Sequence, residues 1–233
     1  MNIAVLKVKV VALQDIRKEA SYYAIAKLID KVMCADDKYQ AMHTIKDYKP
    51  YNFSGLSKPE ADGIYRKDRV YSFTIRTIDF ELAKYLESSI KRFETEYLKP
   101  YGLEVWVVHQ KLITKLYSLT PMLIKREGGY LRNHSSIKEI EKFLFENLIK
   151  KYKFFTKTEM EDEDFNIWNA FVFLNEKPIK VEYKNGIMLL GDKVEMSIDT
   201  NKRAQDIAHM ALGVGIGENC SRGCGYVNYH IIR

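Results

Sequence analysis

Gly213-Val-Gly-Ile-Gly-Glu-Asn-Cys-Ser-Arg-Gly-Cys-Gly225 gathers five of the chain's twelve glycines into thirteen residues, and a strand-like apolar tail, Tyr226 to Ile232, follows. Glycine loses more backbone entropy on folding than any other residue, so such a cluster implies that the backbone must come unusually close to something. A phosphate held by backbone N–H groups is one such neighbour. A tight hairpin bordering a strand is the plainer one. The familiar nucleotide templates do not fit. G-x-G-x-x-G needs a glycine where Glu218 stands, counted from Gly213, or where Cys220 stands, counted from Gly215. No glycine of the loop is followed by lysine, which excludes the P-loop pattern. What remains is Gly215-Ile-Gly217, five residues, then Gly223-Cys-Gly225, with Asn219, Ser221 and Arg222 offering polar and cationic groups between.

Upstream of the loop, Asp199 or Thr200 opens a short helix carrying Ala204, Ile207, Ala208 and Ala211. Strands are predicted over Phe165 to Leu174 and Pro178 to Ser197. Ser136-Ile-Lys-Glu139 is a capping box for a helix whose apolar stripe is Ile137, Ile140, Leu144 and Leu148. Lys111 to Lys125 reads as extended and contains Thr120-Pro121. The first half repeats the order more cleanly. Leu6-Lys-Val-Lys-Val alternates as a strand, and Asp15 to Cys34 turns helical, with Ile16, Tyr23, Ala26, Ile29 or Asp30, and Met33 near helical spacing. Strand-like stretches over 40–56 and 63–78 flank a turn, Lys58-Pro-Glu-Ala-Asp-Gly63. Asp79 caps a predicted helix bearing Leu82, Ala83, Leu86, Ile90, Phe93 and Tyr97. Lys99-Pro-Tyr-Gly102 should break that helix before a strand from Leu103 to His109. Strand, helix, strand, strand, helix, strand is a ferredoxin-like unit. The expectation is α+β: tandem ferredoxin-like units over 1–110 and 111–233, the second ending in the glycine-rich loop.

Lys and Arg outnumber Asp and Glu by 37 to 31, a net charge of +6 that leans towards a polyanionic partner. No apolar run approaches the roughly 20 residues of a membrane span, so no membrane partner is expected. Lys7 and Lys9 mark the N-terminus as a strand rather than a secretory signal. Three cysteines, an odd number in a chain this long, suit free thiols and a cytoplasmic location. Cys220 and Cys224 lack the paired spacing of a zinc site, and the acidic run Glu159 to Asp164 reads as a solvated loop. Neither metal nor cofactor is expected. None of the five histidines forms an H-E-x-x-H pair, and no G-x-S-x-G elbow is present.

His43 has the richest neighbourhood, with Lys46, Tyr48 and Lys49 close behind it and then Pro50-Tyr-Asn-Phe-Ser-Gly-Leu56. This segment and the glycine loop together resemble the family of CRISPR repeat-processing endoribonucleases. In that family a histidine after the first helix precedes a lysine or tyrosine and a Pro-aromatic-x-aromatic-Ser-x-Leu strand, which Pro50, Tyr51, Phe53, Ser54 and Leu56 match. Thr120-Pro121 and the order of elements extend the likeness over most of the chain.

The resemblance implies metal-independent cleavage of CRISPR repeat RNA by its own 2′-hydroxyl, leaving a 2′,3′-cyclic phosphate and a 5′-hydroxyl. His43 would serve as base or acid, because imidazole titrates near neutral pH. Lys49 or Lys46 would stabilise the transition-state charge. A tyrosine on the first helix is also implied; Tyr22 and Tyr23 lie early for it and Tyr23 is the candidate, with Tyr39 or Tyr48 as substitutes, since the spacing-equivalent position near Leu28 is not tyrosine. RNA contacts are expected from Gly215, Gly217, Asn219, Ser221, Arg222, Gly223 and Gly225, and from Lys202 and Arg203 near the loop. His209, on the helix before the loop, is a further phosphate contact to consider. Two other readings stay open: a non-catalytic RNA-binding subunit of a CRISPR surveillance complex, and a general nucleic-acid-binding protein.

Overall fold

In the computed structural model, which describes residues 1–125, 129–158, 165–184 and 186–232, two four-stranded antiparallel sheets share one strand order. The first half runs β1 (Ile3–Ala12), β2 (Ile16–Arg17), α1 (Ser21–Met33), α2 (Asp37–Thr44), β3 (Tyr51–Phe53), β4 (Ile64–Tyr65), β5 (Val70–Thr77), α3 (Phe80–Ser89) and β6 (Leu98–Val108). The second runs β7 (Ile113–Ser118), α4 (Ile137–Thr156), β8 (Trp168–Phe173), β9 (Ile179–Lys184), β10 (Ile187–Gly191), β11 (Val194–Ile198), α5 (Lys202–Val214) and β12 (Val227–Ile231). The sheets are ordered β3-β5-β1-β6 and β12-β7-β11-β8. In each, the first strand lies between the third and the fourth, and a helix follows the first and the third. That is the tandem ferredoxin-like α+β fold the sequence predicts.

The alternation of β1 explains how the halves join. Ala4, Leu6, Val8, Val10 and Ala12 face the first core, under α1 and α3, whereas Ile3 and Val5 point the other way into the second core with residues of α4, α5 and β11. One strand thus serves two hydrophobic layers. The capping box of α4 is present, with Glu139 N donating to Ser136 Oγ at 3.3 Å and Ser136 N to Glu139 Oε2 at 2.7 Å. Asp79 caps α3 as expected.

Four expectations are corrected. The first helix starts at Ser21, because Ile16 and Arg17 pair with Tyr65 and Ile64 while Asp15 accepts from the Lys67 amide and Arg66. The stretch 40–56 is extended only at 51–53; Asp36 accepts from the amides of Lys38 and Tyr39 and so nucleates α2. The helix after Asp79 stops at Ser89, and Phe93 and Tyr97 reach the same core from non-helical chain. Pro100 breaks nothing: it pairs with Val10 at a register shift in β6, an edge strand, where a missing N–H is tolerated. In the second half, β9 and β10 form a separate hairpin outside the four-stranded sheet. The acidic run 159–164 lies outside the described residues.

His209 lies inside the core, 1% exposed, with Nε2 unpartnered, so it is not placed to meet a phosphate. Burial, reinforced by the α-ammonium of Met1, pushes its pKa down to about 4 from the ordinary imidazole value. The folded state therefore binds fewer protons than the unfolded chain between about pH 6.5 and pH 4. Stability from this residue is intact above that window and lost as pH falls through it, by on the order of 3 kcal/mol. Urea unfolding at pH 7, 5.5 and 4 should show this slope, and His209→Leu should flatten it; a variant with the wild-type slope would assign the acid sensitivity elsewhere.

Candidate functional site

The glycine loop is an interior piece. Gly215 ends α5, and the amides of Gly215, Gly223 and Gly225 donate to the carbonyls of Ala211, Cys220 and Pro121. Ile216 N donates to Gly225 O at 2.9 Å, and Glu218 N to Leu123 O at 2.8 Å. Those amides are taken, which leaves them unavailable to a phosphate. The glycines answer instead to protein: at Gly223, with φ +84°, a Cβ would lie 2.5 Å from the Phe53 ring, and at Gly217 2.5 Å from Leu123 O. From below, buried Lys151 of α4 donates to Gly215 O at 2.8 Å and lies 3.1 Å from Cys220 Sγ. Thr120-Pro121 closes the back, with Tyr226 N on Thr120 Oγ1 at 2.8 Å.

The loop's polar residues divide. Asn219, left-handed at φ +55°, accepts from Lys125 Nζ at 3.2 Å, while Ser221 is half-buried. Arg222 turns towards α1, where Nη1 donates to Asp30 Oδ2 at 2.5 Å. Burial works against that guanidinium charge, but Asp30 more than offsets it and holds the pKa above the ordinary value.

Asp30 also meets the histidine. His43, in the last turn of α2, places Nδ1 3.3 Å from Asp30 Oδ1. The side chains of Asp30, His43 and Arg222 are 23%, 26% and 34% exposed, so all three are open to solvent. Beneath them Tyr51 of β3 is fully buried, and burial raises its phenol pKa. Lys49 bends back onto the helix, its Nζ donating to the carbonyls of Met42 and Ile45. Burial lowers its pKa, opposed by Asp47 and reinforced by Arg222, which puts the two cations near one another.

The expected residues are therefore partly assembled. His43, Lys49 and Arg222 come together, whereas Lys46 is exposed beyond the end of α2. Tyr23 does not join them. Its ring meets Tyr97 edge-on at 6.1 Å and lies about two helical turns from Asp30. Tyr48 packs on Phe154 and Phe155, and Tyr39 stacks on Tyr85. Lys202 and Arg203 begin α5, some 20 Å of helix from the loop that ends it. Sequence reasoning missed Asp30 and Lys151. Both interrupt apolar stripes, Asp30 beside Ile29 and Lys151 three residues after Leu148, and a charge at such a position was the available signal.

Among known proteins, the family model described as "CRISPR associated protein Cas6, C-terminal" matches residues 107–229. No curated protein sequence matches the chain. Solved structures similar to it include a "CRISPR associated protein Cas6", 19% identical with a TM-score of 0.71 over 98% of this chain and 99% of that one. A Cas6-related protein from Pyrococcus furiosus is 18% identical, TM-score 0.69, over 98% and 99% of the two chains. One described as "An RAMP protein binding different RNA substrates" is 16% identical, TM-score 0.72, over 97% and 99%. At these identities the structural likeness is one of fold.

Proposed function

The chain belongs to the Cas6 family of CRISPR-associated proteins, whose members process CRISPR repeat RNA, and on that premise we propose that it is itself a metal-independent endoribonuclease. It cuts within the repeat: the 2′ oxygen bonds to phosphorus as the P–O5′ bond breaks, giving a 2′,3′-cyclic phosphate and a 5′-hydroxyl. His43 moves a proton, taking it from the 2′-hydroxyl or giving one to the leaving oxygen, and Lys49, with Lys46 behind it, stabilises the phosphorane charge. The observation that carries this reading is the accessible imidazole whose Nδ1 lies 3.3 Å from a carboxylate that also binds the glycine loop. Asn219, Ser221 and Arg222 are the loop's groups for RNA, and the net charge of +6 suits phosphate contacts.

The decisive experiment uses end-labelled RNA spanning two repeats from the host array, in EDTA, beside a substrate with a 2′-deoxy nucleotide at the cut site. One cut per repeat, absent from the deoxy substrate, is expected. Tight binding without cutting would favour the second reading, a non-catalytic RNA-binding subunit. One observation speaks for that alternative: Leu28, at the position where the resemblance implies a helix tyrosine, is buried in the core.

A further inference from the structure

The two oxygens of Asp30 have different partners. Oδ1 faces His43 Nδ1 at 3.3 Å, and Oδ2 accepts from Arg222 at 2.5 Å. These three residues come from α1, α2 and the glycine loop, and nothing in local sequence links them; Arg222 is 192 positions from Asp30. We propose that Asp30 is a positioning residue for repeat cleavage, fixing the His43 imidazole and the Arg222 guanidinium as a pair aimed at the same phosphate. This rests on the proposed endonuclease function.

The chemistry follows from the geometry. A neutral imidazole carries one proton, and a carboxylate facing Nδ1 keeps it there, leaving the Nε2 lone pair to face substrate. Free imidazole favours the opposite tautomer, so the carboxylate prepares the ring before RNA arrives. At Arg222, Asp30 engages one edge of a planar fork whose remaining N–H groups match phosphate oxygens. That role is separate from the one Lys49 plays. The Lys49 ammonium spends two donors on the carbonyls of Met42 and Ile45, in the turn that carries His43, so it braces the helix end as well as adding charge. Arg222 is then a catalytic residue: it bonds the non-bridging oxygens while the 2′ proton passes to the base and a second proton reaches the 5′ oxygen. The guanidinium itself neither gains nor loses a proton.

The test separates rate from binding. For Asp30→Asn, the single-turnover cleavage rate should fall about tenfold or more, as when the orienting carboxylate of a catalytic histidine is neutralised. Its dissociation constant for uncleavable 2′-deoxy repeat RNA should stay within about threefold of wild type. Arg222→Lys should show the same split, because charge survives and the fork is lost. Long-range ¹⁵N spectra should report His43 as the Nδ1–H tautomer in wild type and the Nε2–H tautomer in Asp30→Asn. An unchanged rate, or equal losses in rate and affinity, overturns the proposal. Should Asp30→Asn not fold, the wild-type spectrum decides, and an Nε2–H tautomer there overturns it. Failure of the underlying reading looks different: wild type would not cut, or His43→Ala would cut as fast as wild type.

Discussion

His43→Ala should slow repeat cleavage by about 10²–10⁴-fold, the range for loss of a general acid or base, while RNA affinity changes by less than about threefold. Its position supports so one-sided a result. The residue lies in the last turn of an eight-residue helix and is a quarter exposed, and its polar neighbour Asp30 keeps Arg222 when the ring is gone. Truncation therefore leaves no buried charge unpaired and little packing lost, and the fold should barely register it. Proteins that bind nucleic acid draw much of their affinity from many phosphate contacts, so the loss of one imidazole should change it little. Single-turnover rates and dissociation constants on the same RNA, with the 2′-deoxy analogue for binding, measure both. Parallel losses would make His43 a binding or structural residue.

Gly225→Ala should cost about 4 kcal/mol or more, enough to prevent folding of a domain of ordinary stability. The backbone there has φ +63°, and a Cβ would stand 1.9 Å from Ile216 O. Neither side can yield easily, because Ile216 N donates to Gly225 O and Gly225 N to Pro121 O. Moving one strand of this crossing breaks the other. Gly63→Ala is the control: φ is similar at +78°, yet nothing lies within 4 Å of the added methyl. It should cost only the left-handed backbone penalty, about 1–2 kcal/mol. Chemical denaturation of both variants decides the matter, and losses of equal size would mean that conformation rather than close packing requires Gly225.

Much of this was legible in the sequence, for physical reasons that also mark where legibility ended. Alternation in β1 and β5, the Ser136 capping box and the Asp79 cap are local signals, and each element formed where its signal lay. Failures came where a distant partner outvoted local pattern. Ile16 looks helical by spacing but is taken by Tyr65, and α2 fully buries Tyr39 alone, with Met42 partly buried beside the same core, so its apolar pattern is faint against the cap at Asp36. The glycine doublets were visible; their purpose was not. Phosphate cradles and backbone crossings both need residues without Cβ, and only the packing of Phe53, Leu123 and Ile216 tells them apart here. Likewise Arg222 reads as a free surface cation until α1 is brought beside it. Lys202 and Arg203 lie near the loop in number, but a helix separates them from it.

The bond between Asp30 and Arg222 also sets a clock. A ribosome adding 5–20 residues per second needs roughly 10–35 s to travel from residue 43 to residue 222. Throughout that time the nascent chain holds a histidine and its carboxylate without the arginine that completes them, and β3 waits uncovered for Gly223. Contacts this remote in sequence form late in folding. On the proposed function, the complete histidine–carboxylate–arginine set would exist only once the glycine loop has been made and has docked on α1.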